Sequence, residues 1–452
     1  MTDLGDKVHL VGIGGEGMAA LAQLLREAGV DVSGSDLRDS PRLGRLRDLG
    51  IRARVGHSPD AIPPGVGTVA FSSAVPPNNP ELVVAQANGL RVRPRLWALR
   101  ELLRARRLVA VVGTHGKTTT VTWVAHLLGT TAGECGYYVG ADVPQLGSAR
   151  LGRGPFALEL DESDGRFTGV EADVAVLTSI DTDHLDVYGG YSGLRRAFAR
   201  FLGRAGKVAL CVDDPGASSM LAVRGDALTY GLDDAAALRA RGLQFSRSRA
   251  EFEVWFHGRP VGEVELPAPG VHNVRNALAA AAGGVLLGLP LADICASLSA
   301  VPRPRRRLEV LEENGYLVVD DYAHHPRELA AGLAALRGGW PERGVTAIFQ
   351  PHRYSRTVRH AAGLGAVLAR ADRSVVTEVY GAFERPLPGV SGALVAQAVR
   401  KAGGQAVFRP TLPAALEAAA EVIRPGDVVA CFGAGDIWQL AREMARGLSR
   451  GS

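Results

Sequence analysis

Short apolar runs and longer helix-spaced stretches take turns along this chain. Runs of buried-type residues occur at 8–13, 30–34, Thr68–Phe71, Leu108–Val112, 156–160, 174–180, 208–211, 317–319, 346–349, 375–379 and Val428–Phe432. Such runs, with little alternation, predict parallel strands covered on both faces. Between them lie helical stretches at 18–28, 117–128, 272–287 and 327–336. Strand followed by helix, repeated, predicts an α/β chain of doubly wound sheets with polar clusters at the strand C-termini. The stretch 227–266 breaks the rhythm: segments such as 251–256 alternate and predict antiparallel strands. Pro302-Arg-Pro-Arg-Arg-Arg307 predicts a linker and a domain boundary.

One stretch organises the rest. The strand Leu108–Val112 runs into Gly113-Thr114-His115-Gly116-Lys117-Thr118-Thr119-Thr120, and Val121, Val124, Ala125 and Leu128 then recur at helical spacing, with Gly129 expected to end the helix. Strand, glycine turn, Lys-Thr and helix N-terminus form a phosphate cradle, because backbone N–H groups and the helix dipole face the anion. Lys117 can reach terminal phosphates and Thr118 can place a hydroxyl on Mg2+. The pattern is shortened: Val111 stands where the full phosphate-loop motif has glycine. A parallel strand on either side would bring Glu159, and His184 within Asp183-His184-Leu-Asp186, opposite the loop as hard oxygen and imidazole ligands. Without the loop these acidic runs would read as solvated surface.

A second glycine pattern lies at the N-terminus. Gly12-Ile-Gly14-Gly15-Glu16-Gly17 follows the strand 8–13, and Asp36 ends the strand after the next helix. That is the spacing of a dinucleotide fingerprint, and it leaves the nucleotide open. Ser72, Ser73, Ala74 and Val75 end a further strand and read equally as ligand contacts or as a polar loop. Asn273 and Asn276 are three apart on one helix face, though Asn273 also fits a simple cap. Arg307 reads as part of a solvated hinge or as a phosphate ligand. Asp320-Asp321-Tyr322-Ala-His324-His325-Pro326 and Gln350-Pro-His352-Arg353-Tyr-Ser-Arg356-Thr357 end two strands of one predicted sheet, so their histidines and arginines gather at one edge and suit ligand contact.

Composition narrows the class. The 452 residues suit two to four domains, and 46% hydrophobic with 22% charged residues describe a globular chain with ample core. The net charge of +4 is small and arginine is dispersed, so nucleic-acid binding is not implied. Cys135, Cys211, Cys295 and Cys431 are far apart and form no CxxC pair, which fits a reducing cytoplasm rather than disulfides or zinc. No apolar run reaches membrane-spanning length and the N-terminus shows no signal-peptide core, so no membrane partner is expected.

The run Gly113–Thr120, Glu159-Leu-Asp-Glu-Ser-Asp164 and Asp183-His184-Leu-Asp186 resembles the Mur ligase family. The glycine run at 12–17, Ser33-Gly-Ser-Asp36, His272-Asn273 and the two histidine-bearing motifs look like the member that joins L-alanine to UDP-N-acetylmuramate. The resemblance implies three domains: a UDP-binding Rossmann-like domain at 1–107, a central ATP-binding ligase domain of P-loop type at 108–302, and a Rossmann-like domain at 303–452 for amino-acid binding and ATP closure. It implies ATP and Mg2+, with Lys117 on the phosphates and Thr118, Glu159 and His184 on the metal. Gly113, Thr114, His115, Gly116 and Thr119 would line the ATP loop. Asn273 and Asn276 would face adenine and ribose, and Arg307 and Asp321 would close over ATP. Gly14, Gly15, Asp36 and Ser73 would carry the UDP-sugar. Tyr322, His324, His352, Arg353 and Arg356 would surround the amino acid.

The implied activity is a cytoplasmic ligation, by a monomer or homodimer, through an acyl phosphate of the lactyl carboxylate in peptidoglycan precursor synthesis. Either His324 or His352 would take the amine proton. Two departures stand out: Leu160 where alanine is usual, and Gly381-Ala-Phe383-Glu384 where Ala-Ala-Gly-Glu is expected. No lysine lies between His184 and Lys207, so the carbamylated lysine of several family members is expected to be absent. The alternatives are the recycling ligase that attaches a ready-made tripeptide, an NAD-dependent oxidoreductase suggested by the glycines at 12–17 with Asp36, and a non-catalytic nucleotide-binding regulator.

Overall fold

The computed structural model describes residues 3–313, 315–382 and 384–448; Phe383, one of the departures noted above, lies outside them. Among the described residues the strands form three sheets, each with helices on its faces, which is the three-layered α/β organisation that the strand–helix rhythm predicts. By proximity the chain gathers into two compact units. One comprises Met1–Arg241, Glu253–Val264 and Arg275–Pro302; the other comprises Gly242–Phe252, Glu265–Val274 and Arg303–Ser452.

The first sheet contains β1 (Lys7–Val11), β2 (Asp31–Asp36), β3 (Arg52–Val55), β4 (Thr68–Phe71) and β5 (Arg91–Pro94), in the order β3-β2-β1-β4-β5 and parallel throughout. The order reverses beside β1, so the crevice for a ligand opens where its C-terminal end meets the glycine run. β1 stops at Val11 rather than at 13 because Gly12 turns with φ +81°.

Glu81 lies wholly buried beside β1 and β2, in the first turn of the helix Pro80–Ala87. Its carboxylate is 2.9 Å from His9 Nε2 and 3.2 Å from His57 Nδ1, and it accepts from Ser35 Oγ at 2.7 Å and Ser58 N at 3.2 Å. His9 Nδ1 in turn meets Ser33 Oγ at 2.9 Å. Burial alone would push the carboxyl up. The hydrogen bonds from His9 and Ser35, with the charge of His9, outweigh it and hold the group below the usual range.

The second sheet is built from β6 (Leu108–Val112), β7 (Gly136–Tyr138), β8 (Ala149–Arg150), β9 (Phe156–Glu159), β10 (Val174–Leu177), β11 (Lys207–Cys211), β12 (Leu228–Gly231), β13 (Leu238–Ser246), β14 (Arg249–Phe256) and β15 (Arg259–Leu266), in the order β15-β14-β13-β12-β11-β10-β6-β9-β7-β8. All five residues of β6 are buried, and β9 and β10 flank it in parallel. The expected antiparallel stretch needs one correction: β12 pairs in parallel with β11 and β13, so the parallel part runs further than alternation suggested. The connections β13–β14 and β14–β15 are two-residue turns, which join antiparallel neighbours. In the second, His257 and Gly258 both have positive φ, at +48° and +78°.

The helix after β6 spans Lys117–Thr131 and passes through Gly129, which therefore does not end it. The hydroxyls of Thr130 and Thr131 bond back to carbonyls at His126 and Leu127, and Trp123, fully buried, donates its indole N–H to Pro302 O at 2.9 Å. Gly129 is exposed, and a Cβ there would meet nothing nearer than Cys135 Sγ at 3.8 Å. Gly129→Ala is therefore expected to stabilise the chain by roughly 0.5–1 kcal/mol, through the lower backbone entropy of the unfolded state. Thermal unfolding checks this; a lowered midpoint would contradict it.

The third sheet is formed by β16 (Glu309–Glu312), β17 (Leu317–Asp321), β18 (Val345–Phe349), β19 (Arg373–Val376), β20 (Ala406–Phe408) and β21 (Val428–Phe432), in the order β16-β17-β21-β18-β19-β20. It is parallel except for β16, which adds an antiparallel edge. Its two faces pack separate apolar clusters, one around Leu317, Phe349 and Phe432 and one around Ile348, Cys431 and Leu440. Among the described residues no helix is long and apolar enough to cross a membrane.

Candidate active site

In the first unit, β9, β6 and β10 lie side by side, so three loops leave the sheet at one place. Gly113 takes φ +133°, and a Cβ on it would fall 2.3 Å from Thr178 Oγ1 and 2.8 Å from Ser179 N. Gly116 takes φ +81°, and its Cβ would fall 2.4 Å from Asn276 Oδ1. Both positions therefore exclude a side chain by conformation and by space. The loop is tied to the exit of β10: Thr114 N donates to Ser179 O at 3.0 Å, His115 N to Ser179 Oγ at 3.0 Å, and Asp181 N to Thr114 Oγ1 at 2.9 Å. His115 Nε2 lies 2.9 Å from Asp181 Oδ2.

Lys117 opens the helix and turns its ammonium back onto the loop. Its Nζ donates to Gly113 O at 2.6 Å, Thr114 O at 3.2 Å and Glu162 Oε2 at 2.8 Å. Burial disfavours the ammonium, but Glu162, Asp161 and Glu159 outweigh it and raise Lys117 well above its ordinary range. The lysine is a fixed positive charge at any working pH. Thr118 Oγ1 donates to Glu159 Oε1 at 2.9 Å, and Gly140 N donates to Glu159 Oε2 at 2.7 Å. His184 has φ +52° at the start of the short helix Leu185–Tyr188 and is near enough to act on the charge of Glu162. The structure thus pairs Lys117 with Glu162 and Thr118 with Glu159, and sets His184 near Glu162. Thr119 is buried in the same first turn, and Thr120 Oγ1 donates to Asn276 Oδ1 at 3.5 Å.

Glu159 and Thr118 offer a carboxylate and a hydroxyl, hard oxygen ligands that suit Mg2+, beside a second carboxylate, Glu162, which is 2% exposed. Glu162 was not singled out in the sequence as a partner of Lys117. A clue lay only in its place three residues beyond Glu159.

The glycine run is similarly ordered. Gly14 N donates to Asp36 Oδ2 at 2.9 Å, and a Cβ on Gly14 would fall 2.6 Å from Leu43 Cδ1. Gly15 precedes the helix Glu16–Glu27 and supplies no side-chain cap, and the positive end of the helix dipole lies at the glycine run. Asp36 thus shapes the glycine turn. Ser73 is exposed in the turn after β4, while its neighbour Ser72 packs 3.2 Å from the Cβ position of Gly12.

In the second unit, β17, β21 and β18 are adjacent, and polar groups gather at their C-terminal ends. The rings of Tyr322 and His324 lie 5.6 Å apart, as do those of His324 and His352, and His352 stacks on Tyr380 at 5.8 Å. Arg356 Nη1 donates to His352 Nδ1 at 3.2 Å. Arg353 is exposed, with φ +67° ahead of the helix Tyr354–Leu368. Arg307 lies over the Tyr322 ring at 5.3 Å. The Asp321 carboxylate accepts from Leu308 N and Ala323 N, each at 2.7 Å, so it pins the linker to the strand end. Burial, partly offset by Arg307, pushes Asp321 up to about 6. Asn273, the third residue of the helix Val271–Leu287, gives its amide to Pro269 O at 2.8 Å and so is not the cap of that helix. A feature missed in the sequence is the buried pair of Arg306 and Asp320, 3.4 Å apart, with burial raising Asp320 to about 6.

His352 is pushed down to about 3, by burial first and then by His324, Arg356, Arg353 and Arg306. The unfolded chain takes up this proton near pH ~6.5 and the folded chain does not. Its contribution to stability is therefore full above that pH and is lost as pH falls toward the folded value. Between pH 7 and pH 5, His352→Gln should lose less stability than the parent chain, by about 1–2 kcal/mol. Urea unfolding at both pH values tests this; equal pH dependence of the two chains would contradict it.

The loop, its flanking carboxylates and the parallel sheet define a phosphate-loop nucleotide-binding enzyme. Residues 7–107 match the family model described as Mur ligase family, catalytic domain, residues 111–284 the Mur ligase middle domain, and residues 306–435 the Mur ligase, glutamate ligase domain. The chain belongs to the Mur ligase family. It is 42% identical to a UDP-N-acetylmuramate–L-alanine ligase of Solidesulfovibrio magneticus over 96% of each chain. It is 43% identical to the protein of that name from Kineococcus radiotolerans, over 97% of this chain and 95% of the other. The solved UDP-N-acetylmuramate–alanine ligase of Thermotoga maritima superposes with a TM-score of 0.85 at 31% identity, over 99% of this chain and 100% of that one. A murein peptide ligase from Psychrobacter arcticus gives a TM-score of 0.72 at 24% identity, over 98% and 99%, a likeness of fold alone.

Proposed function

We propose that this chain joins L-alanine to the lactyl carboxylate of UDP-N-acetylmuramate with ATP, releasing ADP and phosphate, in the cytoplasmic synthesis of peptidoglycan precursors. The observation that carries the reaction type is the junction of β9, β6 and β10, where Lys117, Thr118, Glu159 and Glu162 meet. The choice of substrates rests on full-length similarity above 40% to relatives bearing that name. We assign 1–107 to the UDP-sugar, 108–302 to ATP and 303–452 to the amino acid.

A carboxylate does not react with an amine near neutral pH, because its leaving group is poor. Transfer of the terminal phosphoryl group of ATP to the carboxylate gives an acyl phosphate, from which phosphate departs readily. Lys117 offsets charge on the transferred group; to do so it exchanges one of its three present partners for a phosphate oxygen. Thr118, Glu159 and His184 would hold Mg2+, which neutralises phosphate charge when bound. Gly14, Gly15, Asp36 and Ser73 serve the UDP-sugar, and Tyr322, His324, His352, Arg353 and Arg356 the amino acid.

The attacking amine must lose a proton. His352, held neutral down to about pH 3, is too weak a base for that step. His324 Nδ1 lies 3.0 Å from Tyr322 O. A carbonyl can only accept, so Nδ1 carries the hydrogen in the neutral ring and Nε2 is the basic atom. His324 is therefore the group assigned to take the proton.

The test is phosphate release from ATP and Mg2+ with UDP-N-acetylmuramate against separate amino acids and the tripeptide. Release that requires UDP-N-acetylmuramate and L-alanine together supports the proposal. Release with the tripeptide alone would replace it by the recycling ligase.

A further inference from the structure

A cation lies within the first unit, between the glycine run and the acidic loop after β9. Arg95 opens the helix Arg95–Leu102 directly after β5. A Cβ placed on Gly17 would fall 1.7 Å from Arg95 Nη1 and 2.5 Å from the Tyr138 hydroxyl, so the guanidinium lies against the first turn of the helix that the glycine run opens. The Tyr138 hydroxyl donates to Gly17 O at 2.9 Å and fixes the same spot from the second sheet. On the other side stand Asp161, Asp164 and Glu159, all near enough to act on the charge of Arg95.

Those carboxylates are already engaged. Glu159 accepts from Thr118 and Gly140, Asp161 from Ser163 N at 3.1 Å and Ser163 Oγ at 2.7 Å, and Asp164 from Arg166 N at 3.0 Å. Arg166 Nη1 also lies 3.6 Å from Asp164 Oδ2. Among the described residues none accepts a hydrogen bond from Arg95 or forms an ion pair with it. A guanidinium carries five donors, and that of Arg95, half-buried at this seam, has them open to an acceptor that a ligand brings.

The position specifies that ligand. Arg95 lies against Gly17 of the glycine run and near Glu159, the acid bonded to Thr118, so a nucleotide-sugar acid that reaches from that run to the phosphate loop would bring its carboxylate close to Arg95. Lys117 is bound to Glu162, and the surrounding acids repel an approaching anion. A planar guanidinium offers two parallel N–H donors matched to a carboxylate, whereas the diphosphate already has the N-terminus of the helix Glu16–Glu27.

We infer that Arg95 takes the lactyl carboxylate of the acceptor in a two-pronged hydrogen bond and so selects the muramate over a nucleotide sugar without that acid. This rests on the substrate proposed above. The test is equilibrium binding of UDP-N-acetylmuramate and UDP-N-acetylglucosamine, which differ by the lactyl ether, to the parent chain, Arg95→Met and Arg95→Lys. The parent should prefer the muramate. Arg95→Met should lose about 10- to 100-fold in muramate affinity and stay within about twofold for the glucosamine, with Arg95→Lys between. Retained glucosamine binding reports that the variant is folded; if the methionine variant fails to fold, the lysine variant carries the same comparison. Equal losses for both ligands, no loss for either, or a parent that binds both equally would overturn the inference. A parent that binds no UDP-N-acetylmuramate would instead overturn the proposed substrate.

Discussion

Replacing Lys117 by methionine is expected to lower the rate of ligation by about 10³-fold or more, with the overall fold retained. Removing one well-aimed charge-stabilising donor from an enclosed site typically lowers kcat by about 10²–10³. Lys117 also carries a full charge that Glu162, Asp161 and Glu159 hold in place. The substitution leaves Glu162, 2% exposed, without its ammonium partner. Breaking a buried pair from one side costs several kcal/mol unless the survivor neutralises, which Glu162 can do by taking a proton. The double variant Lys117→Met with Glu162→Gln removes that complication. Single-turnover measurements with saturating ATP should find both variants folded and equally slow. Near-normal turnover in either would remove Lys117 from the phosphoryl-transfer step.

The second large effect is on stability and lies far from the chemistry. Glu81→Ala is expected to destabilise the first sheet by roughly 3–5 kcal/mol at neutral pH, because His9, Ser35 and His57 lose a common acceptor in a dry interior. The pH dependence gives the effect a signature. The folded pKa of Glu81 is depressed. The stabilisation is therefore present above the unfolded value near ~4.5 and disappears as pH falls through the folded one. The gap between parent and variant should be widest at neutral pH and narrow in acid. Denaturant unfolding followed at several pH values tests this, and a gap that widens toward acid would contradict the assignment of a charged carboxylate.

These two residues mark what the sequence could and could not tell. Lys117 was legible because its whole context is local: a buried strand before it, glycines where a side chain cannot fit, and a helix after it. Glu159 and His184 needed one further step, the assumption that their strands flank β6, and the sheet order meets it. Glu81 carried no signal, since its partners lie 23 to 72 residues away and none forms a motif. Arg95 and Tyr138 meet at Gly17 only because two sheets come together there. The helix through Gly129 was misread because a glycine is a local stop signal, and here a buried apolar helix overrides it. The edge strand β16 was missed for the opposite reason: every residue in it is half-buried, so no period shows.

The most direct test of the central claim follows oxygen. UDP-N-acetylmuramate labelled with 18O at both lactyl carboxylate oxygens is incubated with ATP, Mg2+ and L-alanine, and the products are weighed by mass spectrometry. Activation as an acyl phosphate sends one labelled oxygen to inorganic phosphate and leaves the other in the amide of the alanyl product. The account predicts that result, with no labelled phosphate when L-alanine is left out and the enzyme is present in catalytic amount. An amide formed with unlabelled phosphate would contradict the acyl-phosphate route, and no amide at all would contradict the ligase assignment.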